Sequence, residues 1–136
     1  MSITLPKSTK EQLRALGVQC LYLFGSRAQG ADGPLSDYDF AVLMSTAGNS
    51  RGDTLHDRIY DLLAPLCERT LKNDVIDIVF VRDVSLEMRF HIIRYGKILL
   101  DTDPLARANF ESETQLLYCD YRPILDEFDN AILATI

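Results

Sequence analysis

The spacing of apolar and polar positions divides the chain into short segments. Val18 to Phe24 is a continuous apolar and aromatic run, which suits a buried strand. Asp37 to Met44 reads as a second strand, and Val75 to Val81 as a third with strong β-propensity. Ile98 to Leu100 is short and predicts an edge strand. Elsewhere the spacing turns helical. Leu55, Ile59, Leu62, Leu63, Leu66 and Thr70 predict a helix over Thr54 to Leu71, which Pro65 interrupts or kinks. Leu86 to Tyr95 predicts a helix ended by Gly96. Near the start, Ser8-Thr9-Lys10-Glu11 forms a capping box with Ser8 as N-cap. Leu13 and Leu16 continue that helix, and Gly17 offers its stop. A last long helix opens with Asp103 as N-cap and Pro104 as its first residue. It runs to about Tyr121, where Pro123 breaks or kinks it, and resumes through Ile132. Gly25 to Gly33 reads as a loop, or a loop running into a short helix. Ser45 to Gly52 reads as a mobile Gly/Ser/Asn-rich connection.

The resulting order is α-β-loop-β-α-β-α-β-α, a single α+β or α/β sheet packed by helices. With 136 residues, the expectation is one domain spanning 1–136 with no space for a second core. Hydrophobic residues at 47% and charged residues at 25% give a globular balance. Charge changes the picture more. There are 14 Lys+Arg against 20 Asp+Glu, a formal charge of −6. Such a chain is a poor general binder of phosphate backbones, so no direct DNA binding is expected. The N-terminus has no basic stretch followed by an apolar one, and no apolar run approaches a membrane span. Cys20, Cys67 and Cys119 are scattered, with no C-x-x-C pair, and read as reduced core thiols. Together these predict a cytoplasmic protein with no membrane association.

Candidate chemistry lies in Gly25-Ser26-Arg27-Ala28-Gln29-Gly30, followed by Ser36-Asp37-Tyr38-Asp39. Glycine after a buried strand lets backbone approach a ligand closely. Exposed N–H groups and the Ser26 hydroxyl can cradle phosphate oxygens. The spacing is not that of a P-loop, which needs its own lysine. Asp37 and Asp39 are two apart on a strand, so both carboxylates share a face. They repel one another unless a cation sits between them, and hard oxygen ligands of this kind suit Mg²⁺. Tyr38 and Phe40 then point into packing. Asp77, within Val75-Ile76-Asp77-Ile78-Val79, is a third acid. If its strand lies beside that of Asp39, all three acids meet, and three acids can hold two divalent cations for phosphoryl or nucleotidyl transfer.

Gly25-Ser26, ten intervening residues, Asp37-x-Asp39 and the lone strand aspartate Asp77 resemble the minimal nucleotidyltransferase (MNT) family of the polymerase-β superfamily. The resemblance implies a small mixed sheet flanked by helices, the polymerase-β-like nucleotidyltransferase fold, of class α+β. It implies nucleotide-phosphate binding by Gly25, Ser26 and Arg27. It also implies metal binding and catalysis by Asp37, Asp39 and Asp77, with two Mg²⁺ ions and ATP as co-substrate. Gln29 stands where a basic residue is common, which leaves Arg27 as the phosphate cation. Family members pair with a HEPN-domain ribonuclease as toxin and antitoxin. The implied activity is transfer of AMP to a hydroxyl of that toxin, a tyrosine, within a hetero-oligomer.

Other readings remain open at this stage. The chain can neutralise a toxin by binding alone, or act on a small-molecule hydroxyl. The glycine loop by itself is also a plain strand-to-helix turn, Arg27 a solvated residue and Asp77 the partner of a buried arginine. Asp37 can cap the turn after Pro34. His56 and His91 read as structural. Tyr118, Tyr121 and Arg122 read as packing residues or part of a partner surface.

Overall fold

A computed structural model describes residues 3–25, 38–45, 53–67 and 76–134. Strand β1 (Val18–Phe24) pairs antiparallel with β2 (Tyr38–Met44) on one side and with β4 (Lys97–Asp101) on the other. Strand β3 (Ile76–Phe80) lies parallel to β2. The sheet order is therefore β3-β2-β1-β4, a mixed sheet in which Ile98 to Leu100 do lie in an edge strand. Helices α1 (Lys7–Ala15), α2 (Asp53–Leu63), α3 (Leu86–Tyr95) and α4 (Pro104–Ala134) connect and cover it.

The continuous apolar character of β1 follows from its place in the middle of the sheet, buried on both faces. On one face Leu21, Leu23, Tyr38, Phe40, Val42, Ile76 and Ile78 pack against Leu13 of α1 and Leu55, Ile59 and Leu63 of α2. On the other, Cys20, Tyr22, Phe24, Ala41 and Leu43 pack against Ile92 of α3 and Phe110 of α4. Val18 and Cys20 face opposite layers although they are two apart. A register shift between them, an extra residue in β1, reverses the alternation.

Several boundaries differ from the sequence expectation. Helix α1 begins at Lys7 with Pro6 as N-cap and no side-chain cap, so Ser8 lies inside the helix and the capping box does not form. Leu5 is buried beside Pro6, whose fixed φ presets the first turn. Gly17 does end this helix, at φ +96°. Helix α2 stops at Leu63, short of the predicted Leu71. Pro65 sits in a 3₁₀ turn, Ala64–Leu66, and Cys67 is already extended. Pro123, by contrast, does not end α4, whose helical backbone is continuous through it. Pro123 is exposed, so water can reach the carbonyl it leaves unbonded. Asp103 caps α4 as predicted, its Oδ1 accepting from the Ala106 N–H at 3.1 Å. Cys20 and Cys67 are buried, but Cys119 is exposed on α4, so the third thiol is not a core residue. No helix among the described residues is long and apolar enough to cross a membrane.

A polar cluster fastens α4 to the sheet. Arg107 donates through Nε to Asp101 Oδ2 at 2.6 Å and through Nη1 to Glu111 Oε2 at 3.1 Å. The Tyr22 hydroxyl donates to Glu111 Oε1 at 3.3 Å. Asp101 Oδ1 is buried and finds no partner among the described residues. The hydrogen bond to Asp101 pushes the Arg107 pKa up, so the cation is held firmly charged.

Candidate active site

The register between β2 and β3 places Asp39 directly beside Asp77. The strands are parallel neighbours, about 4.8 Å apart, so the two side chains leave the same face. That face is the one covered by α3 and α4, because Ala41, Leu43 and Val79 follow the same alternation. Tyr38 and Phe40 alternate to the opposite layer, buried with stacked rings 6.3 Å apart. Asp39 is half-buried and Asp77 exposed. The sequence left open that Asp77 is the partner of a buried arginine. Its carboxylate is instead in solvent and pairs with no described cation.

Gly25 closes the site from the third side. It follows Phe24, which pairs with Asp39 across the β1–β2 ladder. Its φ of +77° is in the left-handed region. A Cβ there would run into Asp39 Oδ2. Glycine is required for both reasons, and the group it makes room for is the Asp39 carboxylate. Ser26, Arg27 and Asp37 lie outside the described residues, as do most of the Gly25–Gly33 loop and of the Ser45–Gly52 connection. Among the described residues no three ligating side chains meet at one point.

The electrostatics of this end of the sheet are anionic. Two carboxylates lie side by side, and α3 points its C-terminus, the negative end of its dipole, toward the same end. Lys97, two residues past that C-terminus, pairs with Leu23, one rung from the Phe24–Asp39 pair, so its side chain leaves the opposite face of the sheet from Asp39. The donor set is two carboxylates on one face, Asp39 half-buried and Asp77 exposed. It fits a divalent cation such as Mg²⁺ with water completing the shell.

The structure adds Arg94, Tyr95 and Lys97, which sequence reasoning passed over, and His91, which it read as structural. His91, Arg94, Tyr95 and Lys97 sit where α3 turns into β4, at this same end. Nothing in their spacing marks them. Only the register of β4 brings them near Asp39.

Residues 7–105 match the polymerase beta nucleotidyltransferase family. Among solved structures, the chain is similar to one from a toxin–antitoxin crystallised with AMP-PNP. The two are 25% identical, the match covers 90% of this chain and 98% of that one, and the TM-score is 0.62. A chain of a mutant MntA-HpeT toxin–antitoxin is also 25% identical, with 92% and 98% covered and a TM-score of 0.61. A chain from the complex of a tri-AMPylated Shewanella oneidensis HEPN toxin with MNT antitoxin shares the fold at 20% identity. There 90% and 97% are covered, with a TM-score of 0.54. No curated protein matches significantly.

Proposed function

Because this chain belongs to the polymerase beta nucleotidyltransferase family, we propose that it transfers AMP from ATP to a tyrosine hydroxyl of a cognate HEPN toxin and thereby acts as the antitoxin. The observation that carries this reading is the Asp39–Asp77 register beside Gly25: two acids on adjacent parallel strands, one in solvent, at the end of a strand–glycine turn. The likeness to toxin–antitoxin chains, one of them crystallised with AMP-PNP, supports the partner and the nucleotide. A shared fold with an MNT antitoxin bound to a tri-AMPylated HEPN toxin accords with the transferred group.

In this reading Gly25, Ser26 and Arg27 hold the triphosphate, and Asp37, Asp39 and Asp77 hold two Mg²⁺ ions. Bound there, Mg²⁺ supplies charge neutralisation for the phosphates and the leaving group. The acceptor oxygen attacks the α-phosphorus of ATP, and the bond from that phosphorus to the bridging oxygen of the β-phosphate breaks. AMP ends on the acceptor and pyrophosphate leaves. Asp77, open to solvent, takes the hydroxyl proton. Orientation and charge compensation carry most of the rate, because the protein has little covalent work to do. ATP as donor accords with action in the cytoplasm.

The test uses the chain, labelled ATP, Mg²⁺ and the cognate HEPN toxin. The expected result is label on a toxin tyrosine, lost with Asp39→Asn. Full neutralisation of the toxin by Asp39→Asn without any transfer would establish binding alone as the mechanism. Transfer to a small-molecule hydroxyl but never to the toxin would replace the acceptor.

A further inference from the structure

One wall of the carboxylate end has no part in the chemistry above. It is the corner formed by His91, Arg94, Tyr95, Gly96, Lys97 and Ile98. Because Lys97 pairs with Leu23 and Phe24 with Asp39, the corner lies two strands from Asp39, about 10 Å at the usual strand spacing. Gly96 fixes its position. The Gly96 N–H donates to the Ile92 carbonyl at 2.8 Å. A Cβ at Gly96 would run into that carbonyl oxygen and come within 3.4 Å of Leu23 O. The helix end is therefore seated against the end of β1.

The surface of this corner is apolar and cationic. Tyr95 is 47% exposed and Ile98 45%. The Arg94 guanidinium lies 5.6 Å from the Tyr95 ring centre, and its Nε donates to the Tyr95 hydroxyl at 3.3 Å. The His91 ring lies 5.0 Å from the same ring. Lys97 is exposed, and neither it nor Arg94 meets a carboxylate among the described residues. An exposed tyrosine flanked by arginine is the composition of an interface hot spot. Cations that only satisfied the α3 dipole would not call for an exposed aromatic and an exposed isoleucine beside them.

We infer that this corner is the docking surface for the acceptor protein, and that it fits a partner face with an apolar centre and an acidic rim. The inference rests on the transfer reading above. Transfer requires the acceptor oxygen within about 3.5 Å of the phosphorus. A folded protein that brings a side chain so close to Asp39 and Asp77 has to cover the nearby surface, and among the described residues this corner is an exposed part of it. The charge argument fixes orientation. In a chain of net charge −6, Arg94 and Lys97 are exposed cations that attract an acidic rim, Lys97 from the sheet face that Leu23 shares, opposite Asp39.

The test measures the Kd of the HEPN toxin, by titration calorimetry, for the wild-type chain and for Tyr95→Ala, Ile98→Ser and the pair Arg94→Glu with Lys97→Glu. Binding of a non-hydrolysable ATP analogue and thermal melting are measured on each. The expected result is toxin binding weakened at least tenfold in each variant. Analogue binding stays within twofold, and added salt costs the wild type more affinity than the charge-reversed pair. Toxin binding unchanged in Tyr95→Ala and Ile98→Ser overturns the proposal. Loss of analogue binding with toxin binding intact also overturns it and assigns the corner to the nucleotide. If the charge-reversed pair does not fold, the two single variants decide the matter alone. Toxin that binds the wild type but receives no AMP sinks the transfer reading instead, and the Kd series still decides the docking surface.

Discussion

Gly25 stands against the carboxylate of Asp39, and a side chain at position 25 would occupy the place of Asp39 Oδ2. The turn after β1 and the acid of β2 are therefore one unit. Gly25→Ala costs about 1–2 kcal/mol for an L-residue in the left-handed region, and it pushes the Asp39 side chain aside. The expected outcome is a modest loss of stability in chemical denaturation with a fall in AMP transfer of a hundredfold or more. Gly17→Ala is the control. It shares the positive φ, at +96°, but its nearest neighbour is the flexible end of Met44 at 3.4 Å, remote from the acids. It should lose similar stability and keep its transfer rate.

Asp77 separates function from stability in the opposite way. Its side chain is in solvent and holds no described partner, so the fold gains little from it. Asp77→Asn should change unfolding free energy by less than about 0.5 kcal/mol. The same variant should abolish transfer, because an amide neither takes the acceptor proton nor compensates a divalent charge. A folded Asp77→Asn with wild-type transfer would remove this residue from the site.

Much of this was legible in the order of residues, and the reasons differ from part to part. The ends of β1 follow from an apolar run bounded by Gly17 and Gly25, and the end of α3 from Gly96, signals that are local. The pairing of Asp39 with Asp77 was only conditional, because parallel register depends on how the α2 crossover packs, and no nearby residue encodes that. The capping box at Ser8 does not form because burial of Leu5 and the fixed φ of Pro6 start the helix two residues earlier. Cys119 is not a core residue because the buried side of α4 carries Phe110 and Thr114, four apart, while Leu116, Leu117 and Cys119 are exposed. The Arg94–Tyr95–Lys97 corner could not be found from spacing, since only the β4 pairing carries it to the site.

Burial gives the chain an alkaline weakness. Desolvation pushes the Cys20 thiol from about 9.0 up to about 12, and it pushes the neighbouring Tyr22 hydroxyl up as well. Both groups stay protonated in the folded chain at pH values where the unfolded chain ionises them. Their contribution is therefore complete below about pH 9 and is lost as pH rises toward 12. Each group tilts stability by at most about 1.4 kcal/mol per pH unit across that window. Denaturant titrations at pH 8, 9 and 10 should show Cys20→Ser losing less stability per pH unit than wild type above pH 9. Parallel curves for the two chains would refute a buried thiol at Cys20.

Arg107 holds α4 to the sheet through two acids at once, Asp101 at 2.6 Å and Glu111 at 3.1 Å. Glu111 in turn accepts the Tyr22 hydroxyl, so the cation neutralises a site that also contains buried Cys20 and Tyr22. Arg107→Ala leaves two partly buried carboxylates facing each other, with Asp101 Oδ1 already lacking a partner. A charged hydrogen bond of this kind contributes about 2 kcal/mol after allowance for the exposed fraction of the pair. Arg107→Lys should recover less than half of it, because an ammonium cannot reach both carboxylates with the geometry of a guanidinium. Removing the acids together with the cation, as Asp101→Asn, Arg107→Gln and Glu111→Gln, should cost less than Arg107→Ala alone. Thermal melts of the three chains decide this. If Arg107→Ala melts with wild type, helix α4 is held by Phe110 and its apolar neighbours and not by charge.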